Sequence, residues 1–116
     1  MTISQGDIFV FDFGYPTDNR QAGIRPAVIV QTDLLNTLET YGITMVVPVS
    51  TKGKEAVPSH ILIEPEQSNG LSQRSFAKCE QVHIVSKSSL GRQLGSVSKS
   101  QLYLIKGALK DVFAII

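Results

Sequence analysis

The sequence predicts a mainly β domain: a small antiparallel sheet, strongly curved or closed into a barrel, with one helix packed against it at the C-terminal end. Short runs of β-branched and aromatic residues recur at the spacing of hairpin-connected strands up to about residue 97. The apolar period then changes from that of a strand to that of a helix. We therefore expect a single domain over residues 1–116.

Length and composition fit this expectation and disfavour several other classes of protein. The chain has 116 residues, of which 42% are hydrophobic and 18% are charged, enough for one core but too few for a second full domain. Its single cysteine, Cys79, excludes an internal disulfide framework. The chain opens without a basic and apolar leader, and no apolar run reaches the ~18 residues of a membrane span. We expect a cytoplasmic protein without membrane contact.

The first half of the chain carries three strand signals and one long loop. Residues 7–13 are rich in β-branched and aromatic side chains and form the first predicted strand. Residues 14–23 are polar and rich in turn formers, a loop longer than a hairpin needs and therefore a candidate for binding or catalysis. Residues 27–31 and 43–49 are apolar runs typical of strands buried on both faces, and residues 33–38 between them are compatible with one helical turn.

The second half of the chain predicts shorter strands and then the helix. Strand signals cover residues 60–63, 75–85 and 91–97. Ser98 and Gln101 form a capping-box pattern, which marks the start of a helix. The apolar residues that recur at helical spacing after this cap are Leu102, Ile105, Leu109, Val112 and Ile116.

The charges of the chain are unevenly distributed. The net charge of +1 favours no particular partner. Residues 1–50 carry a charge of −3, however, and residues 51–116 carry +4. The second half could therefore supply a basic face, although ordinary solvated lysines and arginines would give the same count.

Several kinds of active site are disfavoured because their motifs are missing. The sequence contains no GxSxG elbow of a serine hydrolase and neither of the common phosphate-binding glycine motifs, GxGxxG and GxxxxGK[ST]. It also contains no HExxH pair, CxxC pair or acidic cluster with metal-ligand spacing. The sequence therefore predicts no cofactor and no metal site.

Arg25 is the most unusual candidate for chemistry. It ends the polar loop and immediately precedes Pro26, and a residue before proline is held in extended geometry, so its backbone is stiff. A guanidinium presents five donors in a planar fork that matches phosphate oxygens, as stabilisation of a phosphoryl transition state requires. A surface arginine paired with a carboxylate is the equally weighted alternative.

Two further polar clusters are candidates. Ser50, Thr51 and Lys52 follow a predicted strand and could contact a phosphate, although an ordinary turn is the default reading. Residues 78–83 belong to the predicted strand 75–85. Pleating would put Lys78 and Glu80 on one face of that strand and Gln81 and His83 on the other, although His83 is more typical of a half-buried packing residue than of a general base.

Five segments, in order over nearly the whole chain, together resemble the MazF/PemK family of toxins. They are Gly6-Asp7-Ile8, residues 21–30 (QAGIRPAVIV), residues 46–51 (VVPVST), Cys79-Glu80-Gln81 and residues 90–94 before the C-terminal helix. The resemblance implies the curved antiparallel sheet or SH3-like barrel of the MazF/PemK/CcdB type, assembled as a homodimer. It also implies inhibition by an acidic antitoxin of the MazE/PemI kind.

The activity that the resemblance implies is ribosome-independent cleavage of single-stranded RNA at short sequences. The 2′-hydroxyl would attack the adjacent phosphorus without a metal, leaving a 2′,3′-cyclic phosphate and a 5′-hydroxyl. By position, Arg25 matches the catalytic arginine of the family, and Ser50 matches a threonine that contacts the scissile phosphate, with Thr51 next to it. Glu80 is the weaker match, to an aspartate assigned to acid and base work.

The resemblance also implies a set of RNA-binding positions. They are Arg20, Gln21, Gly23, Lys52, Lys78, Gln81 and His83. Gln81 matches a glutamine used in base reading, and His83 replaces a common arginine. Arg20 stands where the family usually has a glutamate, which puts the identity of the general base in doubt.

Two other functions compete with RNA cleavage. CcdB-type toxins share this fold and trap DNA gyrase, so a relative without cleavage is one alternative. A module that only binds acidic partners is the other. Discrete RNA fragments with 5′-hydroxyl ends would be produced only by the nuclease.

Overall fold

The structure is a computed structural model that describes residues 2–115, which form seven β-strands and two α-helices. In chain order the elements are β1 (Asp7–Asp12), β2 (Ile24–Ile29), α1 (Asp33–Asn36), β3 (Ile43–Ser50), β4 (His60–Ile63), β5 (Ser75–Lys78), β6 (His83–Ser86), β7 (Gln93–Ser96) and α2 (Lys99–Val112). A short 3₁₀ turn follows β6 at Lys87–Ser89.

The strands are all antiparallel to their neighbours, and β3 lies at the centre of the sheet. The order is β4-β5-β3-β2-β1-β7, and β6 also pairs with β3. One edge of β3 pairs with β2. The opposite edge is divided, because β6 pairs with Ile43–Val46 and β5 pairs with Val49 and Ser50. Pro48 lies between these two partners, where its missing N–H removes no hydrogen bond to either of them.

The core occupies both faces of the sheet. Consecutive residues of one strand belong to different apolar clusters, as with Ile8 and Phe9 in β1 or Val28 and Ile29 in β2. One cluster includes the buried residues of α2, Ile105 and Ala108. The other cluster contains Ile3, Phe9, Ala27, Ile29, Val46, Val85 and Leu90. The apolar runs of β2 and β3 are therefore buried on both faces, as their sequences predict.

The terminal helix begins at the predicted cap. The Ser98 hydroxyl accepts the Gln101 amide at 3.1 Å, and the Gln101 side chain accepts the Ser98 amide at 3.0 Å. Ile105 is fully buried and Val112 is exposed, while Ile116 lies outside the described residues. Within residues 2–115, neither helix is long and apolar enough to cross a bilayer.

The predicted fold class, a mainly β antiparallel sheet with a C-terminal helix, is confirmed. The single strand predicted over residues 75–85 is wrong. The structure divides it into β5 and β6, joined by the turn at 79–82. Arg25 also lies inside β2, opposite Phe11 of β1, rather than at the end of the loop.

Candidate functional site

Strand pairing places Arg25 beside the end of β3. Strand β2 pairs with β3 through Ala27 and Pro48, Val28 and Val47, and Ile29 and Val46. Continued by two residues, this register sets Arg25 across from Ser50. Two of the predicted catalytic residues, far apart in sequence, therefore lie at one level on neighbouring strands.

The polar loop before β2 is closed at its base and leads directly to Arg25. The Gly23 amide donates to the Gly14 carbonyl at 2.8 Å, and the Phe13 amide donates to the Gly23 carbonyl at 2.9 Å. Gly14 and Gly23 have φ values of 72° and 85°, a region that favours glycine. Gly23 thus shapes the loop through its backbone and has no side chain to offer RNA.

The guanidinium of half-buried Arg25 is positioned by the loop. Its Nε donates to the Ala22 carbonyl at 3.1 Å. Within residues 2–115 no carboxylate forms an ion pair with Arg25. Of the two readings of Arg25 in the sequence, the structure therefore favours a free cation over a paired surface arginine.

Arg25 lines a cavity of about 550 Å³, which we call the arginine cavity. Its lining residues are Val10, Arg25, Pro26, Val49, Thr51, Gly70, Leu71, Ser72, Gln73, Ser75, Arg92 and Leu94. None of these described residues is acidic, whereas two are arginines and several others carry hydroxyl or amide groups. This lining suits an anion with several oxygens, such as a phosphodiester.

The two neighbouring hydroxyls of Ser50 and Thr51 have different environments. Ser50 is only 2% exposed, and its Oγ accepts the amide of Lys52 at 3.1 Å, so this hydroxyl helps to form the turn. Thr51 is exposed and lines the arginine cavity. The register places the Ser50 side chain on the same face of the sheet as Arg25, whereas Thr51 is the more exposed of the two hydroxyls.

Most of the remaining predicted residues surround a second cavity of about 900 Å³, which we call the mixed-charge cavity. It is lined by Asp18, Asn19, Arg20, Lys52, Lys54, Val57, His60, Lys78, Glu80 and Gln81. Lys52 directly follows Thr51 in sequence, so the turn after β3 contributes to both cavities.

The charge of Arg20 is already matched in the mixed-charge cavity. Its Nε donates to both carboxylate oxygens of Asp18, at 2.9 and 3.2 Å. The hydrogen bonds from the side chain and amide of Arg20 hold the pKa of Asp18 below its usual value. Both side chains are exposed, so this pair contributes little to stability. Only the Nε of Arg20 takes part in these hydrogen bonds, so its two terminal amino groups could contact RNA without breaking the pair.

Three predicted RNA-binding residues contact one another and join the polar loop to the turn at 79–82. The Gln81 Oε1 accepts the Gln21 amide at 2.6 Å, and Lys78 Nζ donates to the Gln21 Oε1 at 3.1 Å. The Gln81 Nε2 also donates to the Asn19 carbonyl at 3.4 Å. These contacts fix the loop that leads to Arg25, so Gln21 and Gln81 have a structural role in the free protein.

His60, to which the sequence assigns no role, holds Glu80. His60 Nδ1 accepts the Lys54 amide at 3.1 Å, so the ring proton lies on Nε2, which contacts Glu80 Oε2 at 2.9 Å. Ser59 donates to the other carboxylate oxygen at 2.9 Å. Burial tends to raise the pKa of Glu80, but hydrogen bonds from His60, from the backbone and from Ser59 together lower it.

Glu80 is therefore ionised and occupied at both carboxylate oxygens, and it lines the mixed-charge cavity rather than the arginine cavity. The structure does not bring it together with Arg25 and Thr51. His83 also lies outside both cavity linings. Its Nδ1 contacts the Gln81 carbonyl at 2.8 Å, and its ring meets that of Phe13 edge to face at 5.0 Å. His83 is therefore a half-buried packing residue in the free protein.

The single cysteine is buried and therefore a poor nucleophile. The described residues also contain no cluster of metal ligands. Cys79 is fully buried, and burial, with a smaller effect of Glu80, raises the pKa of its thiol to about 12. Within residues 2–115, no three His, Cys, Asp or Glu side chains lie close enough together to hold a metal ion.

Comparison with known proteins identifies the family. A family model described as a PemK-like, MazF-like toxin of a type II toxin-antitoxin system matches residues 4–113. The chain belongs to this family. One MazF relative, the endoribonuclease MazF of Staphylococcus epidermidis, is 31% identical over 109 residues, which are 92% of this chain and 88% of the relative.

Solved MazF structures share the fold. An endoribonuclease from a Mycobacterial species, in complex with its cognate antitoxin, superposes with a TM-score of 0.81 at 21% identity, over 98% of this chain and 97% of that chain. MazF from Deinococcus radiodurans superposes with a TM-score of 0.80 at 17% identity, over 99% of both chains. These structures confirm the fold that the family resemblance implies.

The contacts of Glu80 predict a pH-dependent contribution to stability. Because the folded-state pKa lies below the usual value of 4.5, the contribution is present above that value and is lost as the pH falls through the folded-state pKa. The Glu80→Gln variant should be less stable than the wild type at neutral pH by less than about 1 kcal/mol, since the carboxylate is exposed.

Urea unfolding at several pH values measures this difference, which should shrink on acidification. Glu39→Gln is the control, because Glu39 is exposed and outside these contacts. A stability difference between the wild type and Glu80→Gln that stays constant with pH would contradict the assignment.

Proposed function

We propose that this MazF/PemK-family chain is an endoribonuclease toxin that cleaves single-stranded mRNA in the cytoplasm at short sequences. Family membership supports the class of activity. The observation that carries the proposal is Arg25, a guanidinium without a carboxylate partner in the described chain, which lies across from the end of β3, where the hydroxyl residues Ser50 and Thr51 follow each other. A phosphodiester is the ligand that these groups fit best.

The RNA supplies its own nucleophile in the proposed reaction. The 2′-oxygen forms a bond to phosphorus while the bond from phosphorus to the 5′-oxygen breaks, which gives a 2′,3′-cyclic phosphate and a 5′-hydroxyl. Arg25 and a hydroxyl of the Ser50-Thr51 pair donate to the phosphoryl oxygens, where negative charge increases in the transition state. The hydrogen bond to the Ala22 carbonyl holds Arg25 in place before substrate arrives. Less of the barrier then comes from orienting the guanidinium.

Two protons move in this reaction. One leaves the 2′-hydroxyl and one reaches the 5′-oxygen. Glu80 is bound to His60 and Ser59 in the neighbouring cavity, and Arg20 replaces the family's usual glutamate. We propose that water accepts the first proton and supplies the second, so charge stabilisation by Arg25 carries most of the rate.

The first prediction of this mechanism concerns Arg25. Arg25→Ala should slow the cleavage of a long single-stranded RNA by about a hundred- to a thousandfold, because a preorganised charged donor is lost. Arg74→Ala is the matched control, since Arg74 lies outside the arginine cavity and pairs with Glu55 and Glu64. Melting temperatures check that both variants fold. Near wild-type cleavage by Arg25→Ala would refute the assignment.

The same assay separates the two hydroxyls. Thr51→Val should lower kcat/KM roughly tenfold or more, since Thr51 is the exposed hydroxyl and a hydrogen bond to a charged oxygen is lost. Ser50→Ala should act mainly on stability, because its hydroxyl bonds the Lys52 amide. A larger loss of kcat/KM at Ser50, with unchanged stability, would restore Ser50 as the phosphate contact.

The products test the chemical route and distinguish it from the competing functions. Cleavage should persist in excess EDTA, because the nucleophile is the substrate hydroxyl and the charge is met by Arg25. New 5′ ends should accept label from polynucleotide kinase without prior phosphatase treatment. An RNA with a 2′-deoxy nucleotide at the cut site should stay intact. Strict dependence on magnesium, or intact RNA under all conditions, would contradict the proposed nuclease.

We also propose that the toxin is a homodimer inhibited by an acidic, partly disordered antitoxin. The positive charge of residues 51–116 and the carboxylate-free arginine cavity would attract an acidic segment that folds on binding. Twofold symmetry would present two such cavities to one partner or one RNA.

Sedimentation tests this assembly, which should be a dimer at micromolar concentration. Antitoxin affinity should weaken as salt rises, because screening reduces the attraction between exposed charges. Arg25→Ala should weaken antitoxin binding as well as RNA cleavage, whereas Arg74→Ala should do neither. A monomer, or an antitoxin that inhibits without displacing RNA, would count against the arrangement.

A further inference from the structure

Three phenylalanines alternate along β1 and its continuation, and they share one face of the sheet. Phe9, Phe11 and Phe13 are spaced two residues apart, the period at which side chains of an extended chain point to the same side. Phe9 is 3% exposed and belongs to an apolar core cluster. Phe11 and Phe13 pack against that cluster but are only partly buried. The aromatic side chains thus continue past the core toward the candidate site.

Strand pairing places Phe11 directly across from Arg25. In the same register Phe9 pairs with Ala27, and both belong to one core cluster. Two residues farther along each strand, Phe11 and Arg25 therefore lie on this same face. The register of β2 with β3 continues the row to Ser50. Because neighbouring strands lie about 4.8 Å apart, an aromatic ring, a guanidinium and a hydroxyl follow one another across the sheet.

The rings of Phe11, Phe13 and His83 form what we call the aromatic row. Phe11 and Phe13 meet edge to face at 4.8 Å, and Phe13 and His83 meet in the same way at 5.0 Å. Among the described residues Phe11 has a single aromatic neighbour, so it ends the row beside Arg25. Within the same part of the chain, the Arg25 guanidinium does not stack over this ring. The partly buried Phe11 ring is thus held by Phe13 and left free by its cationic neighbour.

These neighbouring groups indicate a nucleotide as the ligand. A phosphate fits the guanidinium of Arg25. Each phosphate inside an RNA strand is flanked by two nucleotides, whose bases have flat apolar faces. An aromatic ring one strand spacing from a phosphate site is the kind of group on which such a base stacks. The Phe11 ring has no hydrogen-bonding group, so this contact orients the strand without reading the identity of the base.

We propose that the ring of Phe11 stacks against a base next to the scissile phosphate. The inference rests on the proposed RNA-cleaving function. Stacking fixes one nucleotide of the scissile bond against the sheet, so that its phosphate meets Arg25. Phe11 is then a substrate-binding residue, and the edge-to-face contact with Phe13 maintains the orientation of its ring.

Binding of a short fluorescein-labelled 2′-O-methyl RNA of mixed sequence tests the contact without cleavage, because this probe lacks the nucleophilic hydroxyl. Phe11→Leu keeps an apolar side chain but removes the ring, and it should weaken binding about tenfold, as expected for one stacked base. The slope of log affinity against log salt should stay the same, since no charge is lost. Arg25→Ala should instead make that slope less steep by about 0.7, the value for one phosphate contact.

Two variants control this measurement. Phe11→Tyr keeps the ring and should retain most of the affinity. Phe113→Leu removes an exposed ring at the end of α2, outside the aromatic row, and should leave the affinity unchanged. Equal affinities of the wild type and Phe11→Leu, or an equally large loss in Phe113→Leu, would overturn the proposal. A Phe11→Leu loss accompanied by a less steep salt slope would overturn it as well.

A tryptophan at position 11 reports stacking directly. The sequence contains no tryptophan, so Phe11→Trp carries a single indole. Its emission should fall when the mixed-sequence RNA binds, because a stacked base quenches indole fluorescence, whereas an oligomer of abasic ribose phosphate should leave it unchanged. Tyr103→Trp, at an exposed position on α2, is the control and should not respond to either ligand. Unquenched Phe11→Trp emission at saturating RNA would overturn the proposal, even if Phe11→Leu fails to fold.

The competing occupant of the aromatic row is a second copy of the chain. Sedimentation of Phe11→Leu should show the same assembly as the wild type. Dissociation of a wild-type dimer by this substitution would assign the ring to the subunit interface and overturn the proposal.

The two proposals fail separately. If the wild type does not cleave RNA but RNA still quenches Phe11→Trp, the nuclease proposal fails and the stacking site stands. If the wild type cleaves RNA and the quenching is absent, only the stacking proposal fails.

Discussion

The functional side of this fold depends on how one edge of β3 is divided between two partners. Strand β6 pairs as far as Val46, and β5 begins at Val49. Pro48 lies at the division, where it offers no N–H to a neighbouring strand. The chain that leaves β5 must therefore turn before it reaches β6. This turn brings polar residues to the end of the sheet, where a continuous strand would alternate them between two faces.

The turn at 79–82 also determines the position of the polar loop. Gln81 lies in the turn and accepts the amide of Gln21, while Lys78 at the end of β5 donates to the Gln21 side chain. The loop then runs through Gly23 directly into Arg25, whose guanidinium bonds the Ala22 carbonyl. The proposed catalytic cation is thus supported from both sides, by β1 through backbone pairing and by the turn through glutamine contacts. Substitutions in the turn should therefore disturb the position of Arg25, although the turn does not contact Arg25 directly.

The sequence correctly predicted those elements that depend on interactions between residues close together in the chain. The apolar runs of β2 and β3 and the Ser98 cap of α2 lie where period and capping place them. The break after Lys78 could not be read from the sequence, because residues 75–85 have continuous strand propensity and the cause is the divided edge of a distant strand. His60 was missed for a related reason: its contacts with Lys54 and Glu80 form only in the folded chain.

The net charge of +1 conceals a separation of charge that suits a phosphate-cleaving protein. The carboxylates near the site are engaged elsewhere: Asp18 with Arg20 and Glu80 with His60. Arg25 makes no ion pair within the described chain. The proposed phosphate contact therefore depends on the unpaired charge of Arg25 rather than on an overall basic charge. Such a surface attracts RNA only at close range, since charges farther apart than about 8 Å are largely screened at physiological salt. Close contact, not long-range steering, then selects the strand that is cut.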